Sequence, residues 1–302
     1  MSTKNVLSIS GGKDSTAMLL LAIERGVDFQ CVFADTGHEH EVTYAYIEYL
    51  EQKLGVTIQR VVADFTKDIE RKRGVVQTKW RNEGVSEEII ETALSVLVPT
   101  GNPFLDMCIW KGRFPSTMGR FCTDELKVIP MNKQVILPLV EQGHQVISWQ
   151  GVRAEESPKR ALLPEREELD FGVIAYRPIL TWLVADVFAI HDKHGINPNP
   201  LYSQGMGRVG CMPCIMCRKG ELHEITKRFP EVVERIKAWE AIVSKASKLG
   251  QATFFHNAQG SGIEQIAEWS KTSRGGRQFG LFTDSEELPS CSSIYGLCET
   301  ND

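Results

Sequence analysis

Hydrophobic positions near the start of the chain alternate between short apolar runs and helical stripes. Residues 5–10, 29–35 and 57–63 are segments of strand length that are rich in apolar residues, whereas 14–25 and 44–54 carry apolar residues at helical spacing. Short buried strands that alternate with amphipathic helices are typical of a parallel sheet with helices on both faces. The pattern therefore predicts an α/β fold with a doubly wound parallel sheet.

The pattern is less regular beyond residue 63. It predicts a basic, helical stretch over 68–81, and strands over 145–152 and 176–179. Thr181 is a candidate N-cap for a helix that extends to His194. A further amphipathic helix is predicted over 229–249.

A change of composition near residue 197 suggests a domain boundary. The sequence NPNPLYSQGMGRVGCMPCIMC is rich in Pro, Gly and Cys. We expect a nucleotide-binding domain over 1–196 and a small Cys-containing, partly helical subdomain over 197–302.

Composition excludes some classes of protein. The chain has 302 residues, of which 42% are hydrophobic and 24% charged, as expected for a packed core. A net charge of -5 argues against a wholly basic nucleic-acid-binding surface. No apolar run approaches the ~18 residues of a membrane span, and the N-terminus has no signal-peptide pattern. We therefore expect a cytoplasmic protein with no membrane partner.

A glycine-containing loop follows the first predicted strand. It consists of Ser10, Gly11, Gly12, Lys13, Asp14 and Ser15. Glycines let backbone N–H groups approach phosphate oxygens, and the next helix directs its positive end to the same anion. Lys13 adds a cation, and Asp14 can cap the helix or help hold Mg²⁺. A capped turn without a ligand is the alternative, but the complete hexapeptide in this position favours phosphate binding.

The end of the second strand carries another polar group. Asp35, followed by Thr36 and Gly37, lies where an open α/β sheet presents its nucleotide crevice. The Asp35 carboxylate can accept from ribose hydroxyls, bind a metal or cap the next turn. We expect His38 and His40 to be exposed loop residues rather than metal ligands.

Eight cysteines occur in the chain. In a reducing compartment they are not expected to form disulfides, and Cys31 lies in an apolar run typical of the core. Cys211 and Cys214 form a C-x2-C pair that suits an iron–sulfur cluster or zinc. We favour a [4Fe–4S] cluster completed by Cys291 and Cys298, with zinc as the alternative metal.

The loop and several later segments resemble the phosphoadenylyl-sulfate (PAPS) and adenylyl-sulfate reductase branch of the N-type ATP pyrophosphatase (PP-loop) superfamily. The similarity extends over about residues 5–220. Besides residues 10–15 and 35–37, it is carried by 120–127 with Pro130, Gly151-Val152-Arg153 with Glu156, Ser157, Arg160 and Ala161, Arg177-Pro178, Trp182, Asp186-Val187 and 199–202.

The resemblance implies an adenine nucleotide α hydrolase-like fold and roles for further residues. It implies that Arg153, next to Gly151, faces phosphate or sulfate, and that Lys127 lies near the nucleotide. An Arg fork suits a pyrophosphate leaving group. Cys122 matches a position where cluster-containing relatives have two adjacent cysteines. We expect Cys122 to be a reactive free thiol, with a role as cluster ligand as the alternative, and Cys108 and Cys217 to be unliganded.

Two reactions are compatible with the resemblance. In the first, ATP is cleaved to AMP and pyrophosphate, and an acceptor is adenylated for sulfur transfer. In the second, PAPS or adenylyl sulfate is reduced to sulfite with thioredoxin. The intact SGGKDS loop favours the first, and so does the absence of the reductase segment Glu-Cys-Gly-Leu-His at the end of the chain. We favour Lys13, Asp14, Arg153 and Cys122 as catalytic residues. Under the first reaction, the resemblance implies that the Dnd-type DNA phosphorothioation enzymes, which combine this loop with a cluster, would be the nearest functional analogues.

The partners follow from that choice. An adenine nucleotide is the first, and a cysteine desulfurase is the expected sulfur donor. Basic stretches at 67–81, with Trp80, and 271–277 suit a nucleic-acid acceptor, although solvated surface charge explains them about as well. A nucleotide-sensing subunit without catalysis is the third hypothesis.

Overall fold

The computed structural model describes residues 2–255 and 261–272, which form two compact units. The first contains residues 2–62 and 123–212, and the second contains residues 63–122 and the described residues from 213 onward. The boundary expected at residue 197 lies inside the first unit. The reason is that Asn199 and Tyr202 hydrogen-bond to the glycine-containing loop, so the chain up to residue 212 belongs with the nucleotide-binding sheet.

The first unit is built on a six-stranded sheet with the order β3-β2-β1-β4-β6-β5. Only β5 is antiparallel, to β6; every other pairing is parallel. The strands are β1 (Thr3–Ile9), β2 (Phe29–Asp35), β3 (Ile58–Val62), β4 (Gln145–Trp149), β5 (Arg166–Glu168) and β6 (Ile174–Tyr176). Parallel strands direct their carboxyl ends to one edge of a sheet, so the segments after β1, β2 and β4 meet there.

Helices cover both faces of this sheet, which confirms the predicted α/β class. On one face, α1 (Lys13–Glu24), α2 (Glu41–Leu54) and α10 (Val184–Lys193) pack on Leu7, Ile9 and Trp149. On the other face, Val6, Val32 and Val146 pack against Met131 and Val135. Side chains alternate along a strand, so β1 contributes Leu7 to one core and Val6 to the other.

The helix that covers the second face is interrupted by wide turns. The run over 121–141 consists of α6 (Phe121–Thr123), α7 (Ile129–Met131) and α8 (Leu137–Glu141), joined by π-helical turns at Asp124–Val128 and Asn132–Ile136. Pro130 and Pro138 each lack the N–H that an α-helix needs and would clash with the preceding turn. Wider turns accommodate them without ending the helix. The sequence pattern did not predict this run.

Short elements complete the first unit. They include the small helix α9 (Pro158–Ala161) and three 3₁₀ turns at Ala154–Glu156, Asp170–Gly172 and Tyr202–Gln204. The predicted cap at Thr181 is wrong. Helix α10 begins at Val184, and the Asp186 carboxylate instead accepts from the Leu183 N–H.

The second unit is helical. It contains α3 (Thr66–Val75), continued by a π-helical turn at Val76–Trp80, with α4 (Glu87–Val96), α5 (Pro103–Lys111), α11 (Lys219–Arg228), α12 (Pro230–Ala246) and α13 (Ile263–Ser270). Aromatic rings form part of its core: Phe104 stacks on Trp239 with 5.6 Å between ring centroids, and Phe114 meets Phe254 edge to face at 5.5 Å. The Glu240 carboxylate accepts from the N–H groups of Phe254 and Ile263, so it joins α12 to the start of α13.

None of the helices in the described residues is both long enough and apolar enough to cross a membrane.

Candidate functional site

The predicted phosphate loop connects β1 to α1, and its backbone conformation requires glycine. Gly11 has φ +76°, in the left-handed region that side chains rarely adopt. A Cβ at Gly11 would lie 2.9 Å from Thr43 Cγ2 of α2. The positive φ angle and the lack of space for a Cβ both explain why this position is glycine. The loop backbone is closely packed on α2.

Hydroxyl groups within the loop fix its shape. Ser15 Oγ accepts from the Ser10 N–H and donates to the Gly12 carbonyl, both at 3.1 Å. Ser10 Oγ lies 3.1 Å from Ser15 Oγ. These bonds hold the turn that begins α1. The N–H groups of Asp14 and Ser15 lie in the first helical turn, where no acceptor exists within the helix.

Three residues far along the chain also hold the loop. Asn199 Nδ2 donates to the Gly11 carbonyl at 3.1 Å, and the Lys13 N–H donates to Tyr202 Oη at 2.9 Å. His191 Nε2 of α10 lies 3.0 Å from the Lys13 carbonyl. The Lys13 ammonium lies 5.3 Å from the centroid of the Tyr202 ring. The loop is therefore fixed before any ligand binds.

A buried charged cluster lies at the start of α1. Asp14 and Arg153 are both fully buried, and Arg153 Nε donates to Asp14 Oδ1 at 2.5 Å. The Lys13 ammonium is 3.4 Å from Asp14 Oδ2, which receives no hydrogen bond within the described residues. Burial disfavours the charged Arg153 guanidinium, but the carboxylates of Asp14, Glu156 and Glu155 outweigh this and raise its pKa. Arg153 therefore stays cationic beside the loop.

Gly151 brings the end of β4 against the loop. A Cβ at Gly151 would lie 3.0 Å from Ser15 N and 3.1 Å from the Asp14 carbonyl carbon and oxygen. These are backbone atoms, which cannot move as a flexible side chain can. The close approach of the two backbones therefore requires glycine at position 151. Two residues later, Arg153 contacts Asp14.

Asp35, Thr36 and Gly37 form a tight turn after β2. Asp35 Oδ1 accepts from the Gly37 N–H at 3.0 Å and from Tyr44 Oη at 2.7 Å. Thr36 donates its N–H and its hydroxyl to the buried Glu39 carboxylate. Asp35 therefore caps this turn, which is one of the three roles expected of it, and it also lies at the carboxyl edge of the sheet.

Glu39 is a buried acid that the sequence pattern did not reveal. Burial raises its pKa, nearby Lys127 and the Thr36 hydrogen bond lower it, and Asp35 raises it further. The buried Lys127 thus lies close enough to interact with the segment after β2. No sequence signal distinguishes Glu39 from its neighbours in the run His-Glu-His.

His38 is buried, contrary to the expectation of an exposed loop residue. The segment after β2 is covered by the chain near residue 211: the Met212 N–H donates to the His38 carbonyl at 2.9 Å, and Glu39 pairs with Cys211 in an antiparallel bridge. His40 is half-buried, and its Nδ1 accepts from the Val42 N–H to cap α2.

The structure describes two of the four predicted metal ligands, Cys211 and Cys214. Cys211 Sγ lies 3.6 Å from Thr36 Oγ1 and donates to Glu39 Oε1 at 3.8 Å, and Cys214 is half-buried. Cys291 and Cys298 lie outside the described residues. Within the described part of the chain, no three or more His, Cys, Asp or Glu residues come together as a metal site. The cluster therefore stays a prediction.

The remaining cysteines lie in different surroundings. Cys31 is buried in the core as predicted, and burial, with a smaller contribution from Glu51, raises its pKa to about 12. Cys122 is half-buried. Burial raises the pKa of Cys108 well above its ordinary value, and the neighbouring Cys122 raises it further.

The described residues fit an anionic ligand at the loop. The hydroxyls of Thr16 and Thr43 are buried next to it and have no hydrogen-bond partner among the described residues. Lys13 and the start of α1 provide positive charge, whereas Asp14 Oδ2 offers a carboxylate oxygen of the kind that Mg²⁺ prefers. A nucleotide phosphate chain with its metal matches this set of groups.

The chain is similar in sequence to one protein family and to several known proteins. The profile of the family described as "Phosphoadenosine phosphosulfate reductase domain" matches residues 4–217. An uncharacterized 37.8 kDa protein of Escherichia phage 186 is 48% identical over 326 aligned positions, covering 99% of this chain and 97% of the relative. An adenosine 5'-phosphosulfate reductase of Burkholderia cepacia is 35% identical over 102 positions, covering 33% of this chain and 38% of the relative.

Among solved structures, a PAPS reductase from Candida auris in complex with phosphate aligns with a TM-score of 0.39 and 18% identity. The alignment covers 68% of this chain and 80% of that one.

Proposed function

Because the chain belongs to the phosphoadenosine phosphosulfate reductase domain family, we propose that its loop binds ATP and that the enzyme releases pyrophosphate while adenylating an acceptor. The observation that carries the proposal is the combination at the start of α1: Lys13, the Asp14 Oδ2 atom that it pairs with and that receives no hydrogen bond among the described residues, and the close approach of Gly151. Together these groups would provide charge and backbone donors for a phosphate chain bound at the start of α1.

The proposed step is a displacement at the α-phosphorus. An acceptor oxygen attacks this atom, the bond to the bridging oxygen breaks, and pyrophosphate leaves with the electron pair. Lys13 and the first-turn N–H groups of α1 would stabilise the negative charge of the leaving group. Asp14 Oδ2 would hold Mg²⁺, and Arg153 would hold Asp14 in place. Water in place of the acceptor gives AMP and pyrophosphate.

Sulfur transfer is the proposed purpose of the adenylation. An adenylated oxygen is a good leaving group, so the terminal sulfur of a persulfide on a donor such as a cysteine desulfurase can attack the acceptor and displace AMP. This leaves a disulfide between acceptor and donor, and a thiol then attacks the donor sulfur of that disulfide to release the thiolated acceptor. Cys122, half-buried, is the thiol of this chain that we propose as reactive.

Reduction of adenylyl sulfate or PAPS is the second candidate, and the names of relatives favour it. The Burkholderia protein bears that activity in its name, as does a Vibrio atlanticus PAPS reductase that is 27% identical over 207 positions. In that reaction the loop would bind the sulfonucleotide, and thioredoxin would supply the electrons.

One experiment separates the two reactions. Anaerobically purified protein is incubated with Mg²⁺ and ATP labelled at the α or the γ phosphate, and in parallel with adenylyl sulfate or PAPS plus thioredoxin. AMP and pyrophosphate in a one-to-one ratio support adenylation, and ADP with phosphate contradicts it. Inert ATP together with sulfite release identifies a reductase. Binding of ATP without products in either arm would support a nucleotide sensor.

A further inference from the structure

Tyr202 contacts both the backbone and the side chain of Lys13, although the two residues are 189 positions apart in the chain. Its hydroxyl oxygen accepts from the Lys13 N–H at 2.9 Å, and the centroid of its ring lies 5.3 Å from the Lys13 ammonium. The second distance is within the ~6 Å over which an aromatic ring attracts a cation. One side chain therefore holds the backbone donor and the cation of the same loop residue.

The turn that carries Tyr202 is anchored to the loop by a separate residue. Asn199 is buried, its Nδ2 donates to the Gly11 carbonyl at 3.1 Å, and its Oδ1 accepts from the Leu201 N–H at 3.0 Å. The Asn199 carbonyl accepts from the Tyr202 N–H at 3.1 Å. Both ends of the Asn199 amide are thus engaged, and the backbone of Tyr202 is fixed relative to the loop.

The Tyr202 ring supports the Lys13 ammonium without neutralising it. A lysine side chain loses much rotamer entropy when it is ordered, so a contact that orders it before a ligand arrives removes this cost from binding. The ammonium also lies 3.4 Å from Asp14 Oδ2, and a carboxylate cancels much of the field of the cation that it pairs with. An aromatic ring has no net charge, so its contact leaves the field of the ammonium available to an incoming anion.

Resting on the phosphate-binding function proposed above, we infer that Tyr202 is a positioning residue that strengthens the binding of a phosphate chain through Lys13. Its hydroxyl holds the Lys13 backbone, and its ring orders the ammonium. Because the Lys13 N–H already has Tyr202 as its acceptor, Lys13 contributes its ammonium to the anion. The affinity for a phosphate chain should therefore depend on residue 202 only while residue 13 is a cation.

A double-mutant cycle on the full chain tests this inference. Isothermal titration calorimetry gives the Kd of inorganic pyrophosphate, and that of adenosine as the uncharged ligand, for the unmodified protein, Tyr202→Leu, Lys13→Met and the double variant. We expect Tyr202→Leu to weaken pyrophosphate binding about tenfold, because the ammonium must then be ordered during binding. In the presence of Lys13→Met the same change should cost about twofold or less, and the adenosine affinity should stay the same throughout.

Two further variants separate positioning of Lys13 from support of the fold. Tyr202→Phe keeps the ring and removes only the hydroxyl, so we expect a smaller loss of pyrophosphate affinity, about threefold. Tyr49→Phe is the matched control, because Tyr49 Oη accepts from the Asn197 N–H of the same segment at 3.1 Å. It removes a hydroxyl that bonds to this segment rather than to the loop, and it should leave pyrophosphate affinity unchanged.

Thermal melts show which variants are folded. Unchanged pyrophosphate affinity in a folded Tyr202→Leu protein overturns the inference, and so does an equal loss with and without Lys13→Met. If Tyr202→Leu does not fold, the cycle is run with Tyr202→Phe, and the same two outcomes decide. An unmodified protein that binds pyrophosphate but forms no AMP contradicts the proposed reaction alone, whereas one that does not bind pyrophosphate contradicts both proposals.

Discussion

Arg153 Nε donates to Asp14 Oδ1 at 2.5 Å, although the two residues are 139 positions apart in the chain. Both side chains are fully buried, so neither charge has water as an alternative partner. A buried ion pair contributes little net stability compared with an apolar pair, but removal of one partner leaves an uncompensated buried charge. The pair therefore ties the end of β4 to the start of α1.

This pair should behave as a thermodynamic unit. We expect Asp14→Asn and Arg153→Met each to lower the free energy of unfolding by about 3–5 kcal/mol. The double variant should lose less than the sum of the two single losses, because neither Asp14 nor Arg153 then remains as a buried charge without the other. Urea denaturation of the four proteins measures the coupling. Strictly additive losses would show that the two charges do not depend on each other.

Gly151 should tolerate no side chain. We expect Gly151→Ala to weaken ATP binding at least tenfold, because its Cβ would press on the Ser15 and Asp14 backbone at 3.0–3.1 Å. Calorimetric titration with ATP measures the change. Gly74→Ala is the matched control. It lies in α3 with open space around the added Cβ, so it should leave binding unchanged and raise the free energy of unfolding by about 0.5–1 kcal/mol. Unchanged ATP binding by Gly151→Ala would contradict the close-approach argument.

Glu240 should make the stability of the second unit depend on pH. Burial raises its pKa above the ordinary value of 4.5, although the N–H groups of Ile263 and Phe254 act in the opposite direction and Glu264 raises it further. As pH rises above 4.5, the unfolded chain loses this proton first, so the free energy of unfolding falls until the folded group has also ionised.

The matched variants for this prediction lie on one helix. The melting temperature of the unmodified protein should fall over the same pH range. Glu240→Gln should abolish this fall, whereas Glu234→Gln, at an exposed position of the same helix, should retain it. A decline of equal size in all three proteins would assign the effect to other groups.

A basic and aromatic surface of the second unit suits a nucleic-acid acceptor. Lys111 Nζ lies 3.8 Å from the centroid of Trp110, and the Arg113 guanidinium lies 5.4 Å from that of Phe121. The segment 107–123 contains three cations and no Asp or Glu. Cations next to aromatic rings are typical of single-strand binding surfaces.

Salt dependence tests this surface. We expect Lys111→Gln with Arg113→Gln to weaken binding of labelled single-stranded DNA or tRNA, and to reduce the slope of log K against log salt by about one for each phosphate that is no longer neutralised. Fluorescence anisotropy measures both. Lys53→Gln, an exposed cation of the first unit, should change neither. If the unmodified chain shows no salt-sensitive affinity for either nucleic acid, the acceptor belongs to another class.

Metal analysis tests the predicted cysteine ligands. We expect anaerobically purified protein to contain iron and to absorb near 400 nm, as thiolate-bound iron–sulfur centres do. Cys211→Ser and Cys298→Ser should each lose the metal, whereas Cys217→Ala should keep it, because we predict that Cys217 is not a ligand. About one zinc per chain would favour the alternative metal. A full metal content in Cys298→Ser would exclude that residue as a ligand.

The sequence predicted the first half of the sheet well because its strands are short segments rich in apolar residues between helices with apolar stripes. The predicted second strand, 29–35, agrees with β2 at both ends. The predicted strand over 176–179 is displaced, because β6 spans Ile174–Tyr176 and Arg177 begins the next turn. The antiparallel β5 was missed, since its residues Arg166–Glu168 are all charged and carry no apolar signal.

The loop of the candidate site could be predicted because its residues are contiguous in the sequence. The residues that hold the loop in place could not be predicted. His191, Asn199 and Tyr202 reach the loop only through the tertiary fold. The segment 199–202 contributes to the family resemblance, but nothing in the sequence assigns it a partner. Burial of His38 likewise follows from a bridge formed by residues that are about 170 positions away.

The strand order has a consequence for the growing chain. Because β4 pairs with β1, the neighbour that completes the loop is synthesised more than 130 residues after it. At roughly 5–20 residues per second, the ribosome needs on the order of ten seconds to cover that distance. During this interval Asp14 has no Arg153, and β1 has one open edge. The nascent chain therefore exposes a central strand that is paired on one edge only, and has no Arg153 beside the loop, until the second half of the sheet emerges.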